Sequence, residues 1–274
     1  MNEDVVLLVP NFNGESFINT TIGSLRKYLP YPLLSIDDSS TDKSVDVLRG
    51  ISNFVIERPV NGGFASAVNT GINFLLDFNC QCIIICNSDV LLNRSIGKKI
   101  CIEIDDFLAS DFSVLGFCEI GSASCQGGEG TSGFFFAIKL NLIRSIGLLD
   151  ESFFMYGEEQ DFFRRTLQAG FKIRQSHIYI QHYKELSSNY SIVNSWYSIR
   201  NAIYLEIKSG SILSVISKTL SLFLIINRLR KPLGFEYDPS YSRLTRPSIL
   251  FGNFLLFKAL IWNFRMFFKI NRFF

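Results

Sequence analysis

The stretch Val5–Gly14, VVLLVPNFNG, joins a run of valines and leucines directly to a polar turn. A short apolar run of this kind, closed by Pro10, is typical of a buried strand in a parallel sheet. The same pattern recurs at two further places. These are Leu33–Ile36 followed by Asp37–Asp42 (DDSSTD), and Cys82–Cys86 followed by Asn87–Asp89 (NSD). We therefore predict three buried strands that each end in a polar cluster.

Helical segments separate these strands. Apolar residues have helical spacing at Ser16–Leu29, Thr41–Leu48 and Gly63–Phe78, and Phe54–Glu57 adds a fourth strand. This alternation predicts an α/β fold with a mostly parallel sheet, flanking helices and right-handed crossovers. Ligands bind beside the carboxyl ends of the strands in such sheets. The three polar clusters therefore predict one shared binding site.

Composition narrows the class of protein. A chain of 274 residues can form one large α/β domain or a domain with an appendage. A net charge of +2, with both signs mixed along the chain, does not indicate a nucleic-acid partner. The six cysteines lie in apolar contexts, which predicts reduced, buried thiols in a cytoplasmic protein. The start MNED leads at once into a strand, so we expect no signal peptide.

Each polar cluster has a structural alternative to ligand binding. Ser40 or Thr41 is expected to cap the next helix, which leaves Asp37 and Asp38 to accept hydrogen bonds from a base or a ribose. Asn61-Gly62-Gly63 opens a helix and could approach a phosphate or a sugar. Asp89 is either another cap or an oxygen ligand for Mg²⁺ or Mn²⁺.

Three acids, Glu158, Glu159 and Asp161, stand at the start of the helical segment in Phe153–Phe171. Acids in a first helical turn can complement the helix dipole, at about 0.3–1 kcal/mol each. Two adjacent acids after an aromatic-glycine turn could also project into a cleft. Both interpretations are open from the residues alone.

Taken in order, these motifs resemble those of the family 2 glycosyltransferases with the GT-A fold. They are most similar to the rhamnosyltransferase-like members that build bacterial surface polysaccharides such as O-antigen or capsule. The segments that carry the resemblance are VPNFNG (Val9–Gly14), IDDSSTD (Ile36–Asp42), NGGFASAVNTGI (Asn61–Ile72), NSDV (Asn87–Val90), SGFFFAIK (Ser132–Lys139), GLLDESFFMYGEEQDFFRRTLQAGF (Gly147–Phe171), His182 and WYSIRN (Trp196–Asn201). The resemblance implies a Rossmann-like GT-A catalytic domain over residues 1–205, followed by a helical extension over residues 206–274.

The resemblance also implies an activity and its donor site. The protein would be an inverting glycosyltransferase that moves rhamnose or another deoxysugar from a dTDP- or UDP-linked donor to a hydroxyl of a glycan or lipid-carrier-linked glycan. The residues that would contact the nucleotide and donor are Pro10, Asn11, Asn13, Asp37, Asp38, Asn61, Gly62, Asn69, Asn87 and Ser88. Gly133 would lie against the acceptor, and the loop Gly127–Gly130 would lie near the donor.

The metal and the catalytic base follow from the same resemblance. Asp89 and His182 would bind a divalent metal, Mn²⁺ or Mg²⁺, with Asn87 in place of the first acid of the family's DxD-type motif. The family places its catalytic base at the second acid of a Glu-Asp pair, and this position is Glu159, because the chain has Glu-Glu there. Asp161 matches a further acid of the family pattern and is the second candidate. The metal would act as a Lewis acid on the diphosphate, and the base would deprotonate the acceptor. We expect the pKa of Glu159 to be raised by its acidic neighbours. His177 matches no ligand position and is expected to be structural or on the surface.

The tail changes in character beyond Asn201. Ile212–Ile226 is strongly apolar, and on a helix the basic residues of Ile249–Phe274 (Lys258, Arg265, Lys269 and Arg272) share one narrow face. A helix of this kind suits the cytosolic face of an anionic membrane, and packing on the catalytic domain is the alternative. A membrane span is less expected, because Lys258 interrupts the run. We therefore expect a cytoplasmic protein that is peripheral on the inner face of the cell membrane.

Two other functions fit parts of the pattern. A nucleotidyltransferase also places nucleotides on an α/β sheet, but it needs a basic Gly-rich phosphate loop near the N-terminus, and the sequence has none. A nucleotide-sugar-binding or scaffold protein that has lost catalysis would explain the Glu at position 159. Turnover with a nucleotide-sugar donor separates these alternatives from a glycosyltransferase.

Overall fold

A computed structural model describes residues 4–78, 80–121, 133–184, 192–229 and 247–270. The chain forms two compact units, Met1–Phe154 with Glu158–Asn189 (unit 1) and Met155–Gly157 with Tyr190–Phe274 (unit 2). The predicted Gly127–Gly130 loop and Arg272 lie outside the described residues.

The first half of unit 1 is the predicted parallel sheet. Its strands are β1 (Val5–Asn11), β2 (Leu33–Asp37), β3 (Phe54–Glu57) and β4 (Cys82–Cys86), and its helices are α1 (Ile18–Tyr28), α2 (Ser44–Ile51) and α3 (Gly63–Leu76). All pairs between these strands are parallel. β1 continues through Pro10, which we expected to close it. Pro10 lies beyond Leu8–Ile85, the last pair between β1 and β4, so its missing N–H interrupts no pairing there.

The second half of unit 1 makes the sheet mixed. Its elements are β5 (Val90–Leu91), α4 (Arg94–Ala109), β6 (Val114–Glu119), β7 (Phe135–Lys139), α5 (Leu140–Ile146), a 3₁₀ turn at Glu151–Phe153, α6 (Glu158–Gln168) and β8 (Ile173–His182). The strand order is β3-β2-β1-β4-β7-β6-β8-β5. β7 is antiparallel to β4 and β6, and β5 is antiparallel to β8. The α/β prediction is confirmed: the three pairs among β1–β4 and the pair β6–β8 are parallel, and the other three pairs are antiparallel.

The core lies on both faces of this sheet. Helices α1, α2 and α4 pack on one face against Val5, Leu7 and Val9, and α3, α5 and α6 pack on the other against Val6 and Leu8. Every residue of β1, β2 and β4 is buried, as expected of strands covered by helices on two sides. The polar residues that follow these strands are therefore held by a rigid frame.

The cysteines agree with the sequence prediction in part. Cys80, Cys82, Cys86 and Cys101 are free thiols. Cys118, in β6, is disulfide-bonded, so the prediction of a reduced thiol is wrong at this position. Bonding requires Cα atoms within about 7 Å, and sequence spacing does not encode that distance.

Unit 2 is a helical body. Its described helices are α7 (Ile192–Lys208), α8 (Ile212–Ile226) and α9 (Ile249–Ile270). Their shared core includes Ile203 of α7, Leu222 of α8 and Leu255 of α9. The two compact units divide at residues 189/190, because α7 packs on α8 and α9. The catalytic domain over residues 1–205 and the extension over residues 206–274 stay predictions. By length and composition α9 could cross a membrane.

Candidate active site

The ends of β1 and β2 are cross-linked by their own side chains. Asp37 accepts hydrogen bonds from Nδ2 of Asn11 (3.2 Å) and from both N–H and Oγ–H of Ser40 (2.9 and 2.6 Å). Oδ1 of Asn13 accepts from the N–H of Thr41 at 2.8 Å. Asn11 and Asp37 are buried, so these contacts fix the shape of the cluster. Ligand binding by Asp37 would use acceptor capacity that remains beyond these bonds.

Asp38 binds the first turn of α3. Its carboxylate accepts from the N–H groups of Gly62 (3.2 Å) and Gly63 (2.9 Å) and pairs with Arg58. Burial raises the pKa of Asp38 in spite of these contacts. Oδ1 of Asn61 also accepts from Gly63 N–H, at 3.1 Å. Asp38, which we expected to contact a nucleotide, therefore holds the turn Asn61-Gly62-Gly63 in place.

Two other predictions for this region change. The N-cap residue of α2 is Lys43 rather than Ser40 or Thr41, and Oδ1 of the preceding Asp42 accepts from the N–H of Ser44, the first residue of the helix, at 3.0 Å. Asn69 is buried, and its amide binds the backbone of Leu149 in both directions, Nδ2 to O at 2.9 Å and Oδ1 from N–H at 3.0 Å. These bonds give Asn69 a structural role, joining α3 to the turn at Glu151, and we do not carry it forward as a donor contact.

Gly63 is required by a close approach of two backbones. Its φ is +81°, and a Cβ at this position would lie 2.1 Å from the carbonyl oxygen of Phe154. The same carbonyl accepts from the N–H of Phe64 at 2.8 Å. Only glycine combines this φ with this contact. The second glycine of the motif NGG is therefore explained by packing against the turn that precedes α6.

Asp89 and His182 meet, as the sequence predicted. His182 is the last residue of β8 rather than a residue after it, and it pairs with Val90 across the β5–β8 ladder. Its Nε2 lies 2.9 Å from Oδ1 of Asp89, which is fully buried. Nδ2 of Asn87 lies 3.4 Å from the same nitrogen. The two residues expected at a metal site thus lie in contact, and Asn87, which was expected to contact the donor, lies beside them.

Two further residues of this cluster were not predicted. Oε1 of Glu119, at the end of β6, lies 3.3 Å from Nδ1 of His182, and its Oε2 lies 2.8 Å from Nζ of Lys184. Burial acts to raise the pKa of Glu119, but the bonds from His182 and Lys184 outweigh it and lower that pKa. Burial acts to lower the pKa of His182, and the two carboxylates outweigh it and raise that pKa. Two other predicted residues lie outside these contacts. The carbonyl of Ser88 accepts a hydrogen bond from Thr21 Oγ1 at 2.5 Å. The side chain of His177 is exposed.

The two adjacent acids of α6 differ in environment. Glu158 is buried, and its Oε2 accepts no hydrogen bond. Burial raises the pKa of Glu158 well above its usual range, and the charge of Glu159 adds to the shift. The raised pKa that we expected at Glu159 stays a prediction for that residue, and Glu158 was not expected to show one. Glu159 is partly exposed, and a Cβ on Gly133 would lie 2.4 Å from its Cγ. Gly133 therefore makes room for Glu159, where we had expected it to make room for an acceptor.

Asp161 is held in an ion pair. Its Oδ2 accepts from Nε of Arg165 at 2.9 Å, and Arg165 also donates to the carbonyls of Ile146 (2.7 Å) and Leu148 (2.8 Å). Asp161 is buried. This network ties α6 to the end of α5 and explains the acid structurally. Of the two candidates for the base, Glu159 has the more accessible carboxylate.

The residues around Asp89 suit a divalent cation. The 2.9 Å between Asp89 Oδ1 and His182 Nε2 is close to the ~3.0 Å that separates neighbouring ligands bound at about 2.1 Å in an octahedron. Oδ1 of Asn87 is buried and accepts no hydrogen bond, and an amide oxygen is a further ligand for such ions. Across the described parts of the chain, no three His, Cys, Asp or Glu side chains form a complete metal site. A divalent cation bound here would need further oxygen ligands, such as those of a phosphate.

Sequence comparison points to one family over part of the chain. Residues 6–99 match the family model Glycosyl transferase family 2. The uncharacterised protein MJ1222 of Methanocaldococcus jannaschii is 29% identical over 87 residues, which make up 32% of this chain and 36% of that protein. The match thus spans about a third of the length of this curated relative. The family match contains β1–β4 and Asp89.

Solved structures resemble the whole chain. The mannosyltransferase PcManGT from Pyrobaculum calidifontis, in complex with GDP-Man and Mn²⁺, has a TM-score of 0.62 at 12% identity and covers 96% of this chain and 88% of its own. S. aureus TarS 1-349 in complex with UDP-GlcNAc has a TM-score of 0.53 at 18% identity, with 98% and 91% covered. The glucosyl-3-phosphoglycerate synthase of Mycobacterium tuberculosis, with Mn²⁺, UDP and phosphoglyceric acid, has a TM-score of 0.54 at 16% identity, with 80% and 78% covered. These likenesses show the fold alone, and the fold is the GT-A type that the motifs predicted.

Proposed function

We propose that the protein is an inverting glycosyltransferase that moves a sugar from a nucleotide-linked donor to an acceptor hydroxyl. The observation that carries the proposal is the two-residue segment Gly133–Phe134. Gly133 leaves room for the side chain of Glu159, and the ring of Phe134 stacks on His182 with centroids 4.9 Å apart and planes at 16°. The candidate base Glu159 and the candidate metal ligand His182 therefore contact two consecutive residues. Glycosyl transfer needs both functions close together, because it removes a proton from one oxygen while charge builds on another.

Asp89 and His182 would hold Mn²⁺ or Mg²⁺, with the Asn87 amide oxygen beside them. When bound, such an ion neutralises charge on the departing diphosphate. Asp89 is enclosed by backbone as well: its carbonyl accepts from the N–H of Tyr183 at 3.0 Å. The side chains are thus held by the β5–β8 ladder and need little rearrangement. Two structural neighbours are complexes with Mn²⁺, which supports the choice of ion.

Glu159 would act as the general base. It would take the proton of the acceptor hydroxyl while that oxygen attacks the sugar on the face opposite the leaving group, so the anomeric centre inverts. Glu158 supports this role, because burial raises its pKa and a neutral Glu158 places no second negative charge beside Glu159. Asp161 is paired with Arg165 and would position α6 instead of receiving the proton.

The donor and acceptor are proposed at the level of chemical class. The polar ends of β1 and β2, with Asn13 and Asp37, support binding of a nucleoside, because carboxylate and amide groups can bond base N–H groups and ribose hydroxyls. The motif resemblance favours a UDP- or dTDP-linked deoxysugar such as rhamnose, and a glycan or lipid-linked glycan of a bacterial surface polysaccharide as acceptor. Complexes of structural neighbours contain UDP-GlcNAc, UDP or GDP-Man, which supports a nucleotide-linked donor in general.

We also propose that unit 2 binds the surface of an anionic membrane on its cytoplasmic side. α9 exposes a set of large apolar side chains: Leu250, Phe254, Phe257, Leu260, Ile261, Phe264, Phe267 and Phe268. On a helical wheel they occupy one side, bordered by the exposed Lys258, Arg265 and Lys269. A basic border beside an aromatic face complements anionic headgroups over an acyl interior.

Vesicle flotation tests the membrane proposal. Replacing Lys258, Arg265 and Lys269 with Gln should weaken binding to anionic vesicles by on the order of a hundredfold, since each basic residue near the surface contributes about 1 kcal/mol. The control removes the same charge from exposed lysines of unit 1, which are Lys43, Lys98 and Lys99. Equal loss in both variants, or no loss in either, contradicts the proposal. Binding that resists alkaline carbonate would show that α9 spans the bilayer instead.

A donor panel tests the enzymatic proposal. The full-length protein is titrated with UDP-, dTDP- and GDP-linked sugars in the presence of Mn²⁺, by thermal shift, and release of the nucleoside diphosphate is then followed with glycan acceptors. We expect one donor class to raise the melting temperature and to be turned over. Binding without turnover by any acceptor would favour a non-catalytic nucleotide-sugar-binding protein, and release of pyrophosphate from a nucleoside triphosphate would favour a nucleotidyltransferase.

A further inference from the structure

His182 stands between two carboxylates that come from different strands. Its Nε2 faces Asp89 at 2.9 Å, and its Nδ1 faces Glu119 at 3.3 Å. The second contact lies just outside the range of about 2.7–3.2 Å for N–H···O hydrogen bonds, and Nδ1 makes no hydrogen bond to any described residue. Phe134 covers the face of the ring, with planes 16° from parallel, so the imidazole is held on three sides. These neighbours fix the orientation of the ring, and which nitrogen carries the proton depends on which of the two carboxylates accepts it.

Glu119 is built into the sheet rather than placed on a loop. It is the last residue of β6, and it pairs in parallel with Ile180, two residues before His182 on β8. It is 7% exposed, and Lys184 Nζ binds its second oxygen at 2.8 Å. One carboxylate oxygen is therefore directed at the imidazole and the other is neutralised by an ammonium group. Lys184 therefore holds Glu119 in place, and the negative charge of Glu119 offsets the positive charge that Lys184 brings near His182.

An imidazole can bind a cation through Nε2 only when that nitrogen carries an electron pair. A carboxylate that accepts a hydrogen bond from Nδ1–H keeps the proton on Nδ1 and leaves Nε2 as the donor atom. Here Nε2 is the nitrogen that faces Asp89 and Asn87. Glu119 lies on the opposite nitrogen, where a residue that selects the metal-binding tautomer has to be.

We propose that Glu119 is a positioning residue that fixes the Nδ1–H tautomer and the ring orientation of His182 for a divalent cation at Asp89. The inference rests on the metal site of the proposed function. It assigns Lys184 a supporting role, as the counterion of the distal oxygen of Glu119. The competing explanation is that Glu119 serves only as the ion-pair partner of Lys184, in which case the contact with His182 has no effect on the metal.

The test measures metal affinity of the full-length protein without donor, using Mn²⁺ alone and electron paramagnetic resonance to count free ion. Glu119→Leu removes the acceptor at similar volume and should weaken Mn²⁺ binding 10–100-fold, the usual effect of losing such a partner. Glu119→Gln keeps an acceptor oxygen and should recover part of the affinity. Lys184→Met should change the affinity less than Glu119→Leu. Glu103→Gln, which removes an acid from an ion pair with Arg174 at 3.0 Å in unit 1, is the matched control and should bind as wild type.

A spectroscopic measurement separates positioning from loss of structure. The chain has two histidines, so ¹⁵N-histidine labelling of a His177→Gln background reports on His182 alone. With Mg²⁺ added, we expect a protonated Nδ1 and an unprotonated Nε2, and mixed tautomers after Glu119→Leu.

Three results would overturn the inference. They are wild-type affinity in Glu119→Leu, equal losses in Lys184→Met and Glu119→Leu, or an unchanged tautomer after Glu119→Leu. If wild type binds no Mn²⁺ alone, the same variants are compared with UDP present to supply the remaining oxygen ligands; if no Mn²⁺ binds then either, the metal of the proposed function fails together with this inference. If wild type binds and Glu119→Leu binds equally well, the inference alone fails.

Discussion

Gly133→Ala places a methyl group where the side chain of Glu159 now lies. The new Cβ would be 2.4 Å from Cγ of Glu159, whereas ordinary van der Waals contact begins at 3.4 Å. Glu159 must therefore move by about 1 Å, and a displacement of that size at a reacting group lowers rates by on the order of a hundredfold. We expect kcat to fall by about that factor while the KM for the donor stays close to wild type, because Asp37 and Asp89 are not touched.

The assay is steady-state release of nucleoside diphosphate with saturating acceptor. Gly23→Ala is the control: no heavy atom lies within 4 Å of a Cβ built there, and this substitution in α1 should raise stability by about 0.5–1 kcal/mol without changing kcat. A Gly133→Ala variant with wild-type kcat and wild-type melting temperature would refute the reasoning, since it would mean that the position of Glu159 does not matter to the reaction.

Three further substitutions follow from single contacts. Gly63→Ala should lower the free energy of unfolding by at least ~2 kcal/mol in a denaturant titration, because φ is +81° and the Cβ would lie 2.1 Å from the Phe154 carbonyl oxygen; wild-type stability would contradict this. Burial raises the pKa of Glu158, so its contribution to stability is present at acid pH and is lost as pH rises through the folded pKa. Glu158→Gln should therefore match wild type near pH 4 and unfold at a higher temperature near pH 8, whereas an equal difference at both pH values would count against a raised pKa. Asp161→Asn breaks the pair with Arg165, which is partly exposed, and should lower stability by about 1–3 kcal/mol while reducing kcat far less than Glu159→Gln does; the reverse order in kcat would make Asp161 the base.

Much of the fold could be predicted from the sequence, because β1, β2 and β4 are buried on both faces and their apolar residues are therefore continuous. Each is a continuous apolar run that ends in polar residues, and parallel strands covered by helices leave that signature. The direction of β7 was not readable. Phe135–Ile138 is buried throughout, and a run that is apolar on both faces has the same appearance in either direction.

The candidate site was predictable where a residue type is tied to a local motif. Asp89 directly follows a predicted strand, and His182 was identified by its place in the order of family motifs. The two side chains lie in contact in the structure. Glu119 was not predictable, because a single acid at a strand end has no signal of its own until β6 and β8 are known to be neighbours. Asn69 shows the opposite case, since a residue inside a functional motif is used to join two structural elements.

The central claim is that Glu159 is the general base of a glycosyl transfer at this site. The most direct measurement compares Glu159→Gln with Glu158→Gln in single-turnover transfer, beside donor affinity measured in the presence of Mn²⁺. Loss of the negative carboxylate at Glu159 should abolish transfer and leave donor affinity near wild type. Glu158→Gln should retain transfer, because a buried protonated acid and an amide are alike in charge and size. Full transfer by Glu159→Gln would contradict the account.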